Sequence, residues 1–178
     1  MIPVARGLDT ETGDPKYARL ELERRWLVDI ARRPSLDGAW MTLIEDRYII
    51  GTRMRLRQMS RPDLGETKWK LTKKYDTERP EARPIVTNYL TGAEHAVFAA
   101  LPALPLRKRR YHLPIDGRFW SIDVFEGQLA GLELVETEAA DETALAALVP
   151  PPWATKEVTH DPRYQCGSLA QTNAIPEQ

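Results

Sequence analysis

Charged side chains of one sign recur at alternate positions in several segments of this chain. The carboxylates form two pairs, Glu21 with Glu23 and Glu136 with Glu138. The basic residues form rows, which are Arg53, Arg55 and Arg57; Lys68, Lys70 and Lys74; and Lys108 and Arg110. Carboxylates without histidine or cysteine neighbours suit a hard cation such as Mg²⁺ or Mn²⁺. Arginine and lysine suit phosphate oxygens, so the two groups together indicate a site for a polyphosphate and its metal.

The alternation indicates which elements must position these residues. Alternate residues share one face of a β-strand, so each charged row is expected on one side of a strand. On a single strand, such a face is ordinarily solvated. Two features of the whole set favour an interior position instead. The signs are sorted by strand, although like charges adjacent on a sheet repel each other. The opposite faces, which carry Trp26, Leu56, Trp69 and Leu71, are too apolar to be left bare.

Eight segments have the alternation and the turn boundaries that are typical of strands. They are 18–28, 40–50, 52–59, 67–75, 84–90, 107–114, 118–125 and 131–139. Asp116–Gly117 predicts a tight hairpin between two of them. Helices are predicted after three capping signals, which are Thr91 with Glu94, then Asp141, then Asp161 with Pro162. The last helix is expected to run to about residue 170.

Many strands in hairpin-like succession with few helices predict the α+β class. The expected architecture is an eight-stranded antiparallel β-barrel, a tunnel, with helices packed on the outside. The alternatives are a sandwich, or an α+β sheet, with a filled apolar core. An ionised interior is unfavourable unless its charges are paired or hold ligands, so a barrel of this kind is expected to contain a binding site.

Composition excludes several classes of protein. A content of 42% hydrophobic and 29% charged residues over 178 positions is typical of one soluble globular domain. No apolar run reaches the ~18 residues of a transmembrane helix, so no membrane partner is expected. Cys166 is the only cysteine, which excludes an intramolecular disulfide and fits a cytoplasmic location. A net charge of −1 disfavours a nucleic-acid partner. The oligomeric state stays open, a homodimer included.

Six motifs occur in order along most of the chain, from about residue 18 to residue 170. The first is a strand of the E-x-E-x-K type at 21–25, in which Arg25 takes the lysine position. The others are RMRLR (53–57), KLTKK (70–74), KRRY (108–111), WSIDVFEGQLAGLELVETE (120–138) and PWATKEVTHDPRY (152–164). This series resembles the CYTH superfamily, the triphosphate tunnel metalloenzymes, which includes class IV adenylate cyclases, thiamine triphosphatases and inorganic triphosphatases. One departure lies at 83–91, where many bacterial relatives carry acidic and aromatic residues.

The resemblance implies a triphosphate tunnel domain over 18–172, after a flexible leader at 1–17 and before a C-terminal tail at 173–178. It implies that Mg²⁺ or Mn²⁺ is held by Glu21, Glu23, Glu136 and Glu138. It implies phosphate contacts from Arg53, Arg55, Arg57, Lys70, Lys74, Lys108 and Arg110. The implied catalytic residues are Arg25, Asp123 and Glu157. Two roles stay open for Glu157, which are orientation of a basic residue and contact with metal or water.

The activity implied by the resemblance is metal-dependent hydrolysis of a small triphosphate, with inorganic tripolyphosphate as the expected substrate. A class IV adenylate cyclase, or a thiamine or nucleoside triphosphatase, would use the same fold. A non-catalytic module that binds polyphosphate or a nucleotide is an alternative of another class. Arg25 keeps this alternative open, because arginine retains its positive charge but cannot exchange a proton as lysine can. Nucleic-acid binding through the RMRLR and LRKRR runs is disfavoured by a pI of about 6.3.

Overall fold

The computed structural model describes residues 17–177. Its strands are β1 (Arg19–Val28), β2 (Trp40–Ile49), β3 (Met54–Arg61), β4 (Glu66–Lys74), β5 (Ala82–Leu90), β6 (Ala103–Ile115), β7 (Arg118–Phe125), β8 (Glu133–Glu138) and β9 (Ala154–Glu157). Its α-helices are α1 (Gly92–Ala99), α2 (Glu142–Ala146) and α3 (Cys166–Thr172). Two single 3₁₀ turns lie at Gly127–Leu129 and Pro162–Tyr164. The predicted leader, apart from Tyr17, lies outside the described residues.

The strands close into a barrel. They are hydrogen-bonded in the order β5-β4-β3-β2-β6-β7-β8-β1, and β1 pairs with β5 as well, every pair being antiparallel. The predicted eight-stranded antiparallel barrel is therefore confirmed. The ninth strand, β9, extends the sheet beyond β1 and was not predicted from the sequence. It has only four residues and follows the prolines at 150–152, which conceal any periodicity.

The two faces of the strands have the expected contents. Leu22 and Trp26 of β1 belong to an apolar cluster that includes Leu145 of α2, so this face is covered by a helix. On the far side of the barrel, Phe98 of α1 packs against Leu56 and Leu71 in a second cluster. The charged residues at the alternate positions consequently face the interior, as the sorted signs indicated.

One end of the barrel is closed by a third apolar cluster. Leu27, Leu106, Phe125 and Leu134 continue the inward-facing positions of their strands and pack against Leu169 of α3 and Tyr164 before it. The sequence predicted one helix from Asp161 to about residue 170, but the chain is extended at Gln165, where ψ is 134°. The carbonyl of Tyr164 accepts a hydrogen bond from Arg25 Nη1 at 3.2 Å, and the break directs α3 across the barrel end.

Local signals in the sequence account for most boundaries. Asp116 and Gly117 both have positive φ, 49° and 74°, as the predicted hairpin between β6 and β7 requires. Thr91 and Glu94 form the predicted capping box of α1, and Asp141 caps α2. The bounds of β3 and β6 differ from prediction, because β3 begins two residues later and β6 four residues earlier. No helix within residues 17–177 combines the length and apolar character that a membrane span requires.

Candidate triphosphate site

The barrel encloses a cavity of about 670 Å³. Its walls are the inward faces of the strands, and its floor includes Cys166 and Gly167 at the start of α3. Arginines and lysines outnumber carboxylates among the lining residues. All seven predicted phosphate-binding residues line this cavity, namely Arg53, Arg55, Arg57, Lys70, Lys74, Lys108 and Arg110. The sorted rows of the sequence therefore meet in one enclosed space.

A cluster of three carboxylates lies on the β1–β8 side of the cavity. Glu21, Glu23 and Glu138 each offer one oxygen, and these oxygens all lie within 4.8 Å of one another. Register explains the cluster, because Glu23 is directly opposite Glu138 and two residues from Glu21. The donors are all carboxylate oxygens, which fits Mg²⁺ or Mn²⁺ and not a softer metal. Three of the four predicted metal ligands are thus brought together.

The carboxylates of this cluster differ in their ionisation. Burial, together with the nearby charge of Glu136, raises the pKa of Glu23 to about 7. Burial would also raise the pKa of Glu21, but the ammonium of Lys74, 2.7 Å from Glu21 Oε2, holds it below the ordinary value. In the metal-free protein, the carboxyl of Glu23 therefore gains or loses its proton near neutral pH.

We expect Mn²⁺ to bind about tenfold more tightly at pH 8 than at pH 6, because Glu23 must lose its proton before it can ligate. The same shift predicts the opposite trend for the metal-free fold. The folded pKa of Glu23 exceeds the unfolded value of 4.5, so its contribution to stability is full below pH 4.5 and is lost as the pH rises through about 7. Calorimetric Mn²⁺ titrations at the two pH values test the first trend, with E23Q as the control that should flatten it.

Glu136 and Asp123 do not join the carboxylate cluster. Glu136 Oε2 accepts hydrogen bonds from Arg25 Nη2 at 2.8 Å and Nε at 3.2 Å, and its other oxygen contacts Arg110. Asp123 accepts from Arg110 Nε at 2.7 Å and Nη2 at 2.8 Å, and also from Lys108. Burial opposes these charges, but the adjacent cations hold the pKa of both carboxyls below their ordinary values. Their contacts are with cations, and the predicted roles of Glu136 as a metal ligand and Asp123 as a catalytic residue stay predictions.

Six of the seven predicted phosphate-binding residues form two groups according to what holds each side chain, and the seventh, Lys74, pairs with Glu21. Arg57, Lys108 and Arg110 are held by carboxylates that are fully or almost fully buried. The other group has looser partners. Arg53 pairs with Asp76, which is 88% exposed, and Lys70 lies over the ring of Tyr89. The Arg55 Nε is buried without a hydrogen-bond partner in the described part of the chain. The second group is the one more available to an incoming anion.

Comparisons with known proteins agree with this geometry, although no family model matches the chain. The inorganic triphosphatase of Nitrosomonas europaea is 48% identical over 67 residues, which are 36% of this chain and 44% of that protein. The inorganic triphosphatase of Acetivibrio thermocellus is 38% identical over 66 residues, 37% of this chain and 41% of that protein. The matched part of the chain thus spans less than half the length of these curated relatives.

A solved structure extends the likeness to most of the chain. The crystal structure of the inorganic triphosphatase NE1496 superposes with a TM-score of 0.58 at 28% sequence identity, covering 88% of this chain and 100% of that one. The fold and these likenesses agree with the resemblance to the CYTH superfamily.

Glu157, like Asp123, is a predicted site residue that does not line the cavity. It is opposite Trp26 in the β1–β9 pairing, and Trp26 belongs to the outward face. Its carboxylate accepts hydrogen bonds from Arg24 Nε at 2.8 Å and Nη2 at 2.6 Å, and from Thr159 Oγ1 at 2.8 Å. Of the two roles left open, these contacts agree with orientation of a basic residue, which is Arg24. The side chain lies on the outer side of the sheet, and a catalytic role for Glu157 stays a prediction.

The substitution E157Q is expected to leave triphosphate binding and turnover within twofold of the wild type. It should lower the free energy of unfolding by about 1 kcal/mol or less, since a partly exposed ion pair contributes little. Urea denaturation and an assay of phosphate release measure the two effects separately. A large loss of turnover without loss of stability would return Glu157 to the catalytic set.

Some cavity residues were missed from the sequence. Arg83 of β5 lies opposite Glu21, and its Nη1 is 3.4 Å from the side-chain oxygen of Gln165. The alternation of Arg83 with Ile85 was a usable signal, but the predicted strand began two residues too late. Cys166 lines the cavity with its sulfur 3.6 Å from Lys108 Nζ, and no sequence signal placed it there.

Proposed function

We propose that this chain hydrolyses a terminal phosphoanhydride of inorganic tripolyphosphate, with Mg²⁺ or Mn²⁺ as cofactor and a cytoplasmic location. The observation that carries the proposal is one cavity in which the cluster of Glu21, Glu23 and Glu138 lies among basic rows from β3, β4 and β6. Both curated relatives and the solved structure at 28% identity are named inorganic triphosphatases. That shared name supports the choice of substrate.

The carboxylate cluster would hold the metal through three oxygens and leave its remaining positions to the substrate and water. A divalent metal bound there would withdraw charge from the phosphate oxygens as the phosphoanhydride breaks. The pairing of β1 with β5 and β8 fixes the backbone positions of Glu21 and Glu23.

The basic residues would bind and orient the triphosphate. Arg53 comes directly before β3, Arg55 lies on β3, and Lys70 of β4 is opposite Arg57, so all three line the cavity from the β3–β4 side. Arginine offers two parallel donors to a phosphate, and lysine offers a point charge. These side chains would neutralise the negative charge of the leaving pyrophosphate, while the carboxylate cluster would hold the metal. Phosphoryl transfer depends mainly on such positioning and charge neutralisation.

Parallel assays of tripolyphosphate, ATP and thiamine triphosphate test the proposal. Purified full-length protein should release phosphate from tripolyphosphate with Mg²⁺ or Mn²⁺, at a kcat/KM at least tenfold above the other two substrates, and a chelator should abolish release. Cyclic AMP and pyrophosphate formed from ATP would identify a cyclase instead. Tight binding of tripolyphosphate without release would identify a non-catalytic binding module.

A further inference from the structure

Asp46 of β2 lies beneath the basic rows and was not among the predicted site residues. Its side chain is fully buried. Its two oxygens accept hydrogen bonds from Arg57, from Nε at 2.6 Å and from Nη2 at 2.7 Å. Arg55 Nε lies 3.8 Å from the first of these oxygens. One buried carboxylate therefore contacts both cavity arginines of β3.

Stability alone does not explain a carboxylate at this position. Buried ion pairs can often be replaced by apolar residues of similar volume without loss of stability, because desolvation offsets the attraction. The neighbouring inward-facing position on β2 is Ile44, which is fully buried, so the same face accommodates an apolar side chain. Burial opposes ionisation of Asp46, but Arg57 and Arg55 hold its pKa well below the ordinary value. The carboxylate is therefore charged throughout the neutral pH range.

The contact fixes the plane of one guanidinium. A carboxylate that binds Nε and Nη2 together leaves arginine a single orientation, and the remaining edge carries Nη1. Arg57 lines the cavity, and its Nη1 makes no hydrogen bond within residues 17–177. The free edge is thus available to an anion in the cavity, at no cost of ordering the side chain when the anion binds.

We infer that Asp46 is a positioning residue for the triphosphate, which holds Arg57, and through its charge Arg55, in the orientation that the phosphate oxygens require. Asp46 itself does not contact the substrate. The inference rests on the proposed function for the identity of the anion, and it assigns a role that neither the motifs nor the carboxylate cluster provide.

The variant D46N separates positioning from charge, because the two effects have opposite signs. Removal of a negative charge makes the cavity more positive, which by itself would strengthen anion binding. Loss of the arginine orientation weakens it. We expect the Kd of metal-free protein for tripolyphosphate to rise about tenfold, as when an outer-shell partner is removed. The Kd for Mn²⁺ alone should stay within twofold of the wild type, whereas general unfolding would weaken both.

The matched control is E45Q on the same strand. Glu45 is the outward-facing neighbour of Asp46 and undergoes the same chemical change away from the cavity. Both dissociation constants of E45Q should equal those of the wild type. Tighter tripolyphosphate binding by D46N than by E45Q would overturn the inference.

The pair R57M and D46N/R57M tests the inference even if D46N does not fold, since the double variant leaves no buried charge unpaired at this position. If Asp46 acts mainly through Arg57, the two variants bind tripolyphosphate with the same Kd within about threefold, the remainder being the weaker effect on Arg55. A full additive loss would show that Asp46 acts elsewhere, and would overturn the inference.

Binding of tripolyphosphate without hydrolysis by the wild type would overturn only the proposed function, whereas absence of binding would overturn both the proposed function and the inference.

Discussion

The substitution E23Q is expected to abolish hydrolysis, with a loss of at least about a hundredfold in kcat/KM and a similar loss of Mn²⁺ affinity. Glu23 is the central member of the carboxylate cluster, between Glu21 on its own strand and Glu138 across the β1–β8 pair. Glutamine keeps the shape of the side chain but loses the charge that a hard cation requires.

The stability of E23Q is expected to change in the other direction. Burial and the adjacent charge of Glu136 raise the pKa of Glu23, so its ionised form is unfavourable in the metal-free fold. Glutamine relieves this, and the melting temperature of the metal-free protein at pH 8 should therefore be equal to or higher than that of the wild type. Calorimetric Mn²⁺ titration, phosphate release and thermal melts give the three measurements. The control is E142Q. Glu142 of α2 is an exposed carboxylate that pairs with Arg79, and its substitution should change none of the three measurements. Full turnover by E23Q would remove the cluster from the reaction.

The substitution R25M is expected to lower the free energy of unfolding by about 3 kcal/mol, because it leaves buried charges without their partner. The guanidinium of Arg25 donates to Glu23 at 2.8 Å, to Glu136 at 2.8 Å and to the carbonyl of Tyr164 at 3.2 Å. Arg25 therefore connects the carboxylate cluster, through Glu23, with the buried Glu136 and with the segment that closes the barrel. Turnover should be lost as well, since two carboxylates of the cavity change their environment.

The variant R25K decides how the charge at this position is used. The three contacts of Arg25 are those of a fixed cation, so we expect R25K to retain turnover within about tenfold and to lose part of the stability. Urea denaturation of R25M and R25K, with phosphate release measured on the same samples, separates the two effects. A rise of more than tenfold in the turnover of R25K would instead show that a proton donor is needed here.

The inward rows were predictable because period-two alternation and sorted signs are local properties of the chain. Glu21, Glu23 and the arginines from Arg53 to Arg57 could be assigned to one face of their strands without knowing which strands pair. The closed barrel followed from the number of strands and their hairpin-like succession. The charged faces of the strands and the barrel fold could therefore be predicted from the sequence.

The partners of the charges were not predictable, because they depend on register between distant strands. Asp46 meets Arg57 only through the β2–β3 pairing, and Asp123 meets Arg110 only through the β6–β7 pairing. Register also decides which side of the sheet Glu157 occupies. A motif match assigned it to the site, but its pairing opposite Trp26 places it on the outer side of the sheet.

The apolar closure by α3 blocks one end of the barrel. Leu27, Phe125 and Tyr164 fill that end, whereas Tyr17 and Glu138, which line the cavity, are exposed. Under the proposed function, the triphosphate and its products would therefore not pass through the closed end. A long phosphate polymer could enter only by its tip and could not be threaded through.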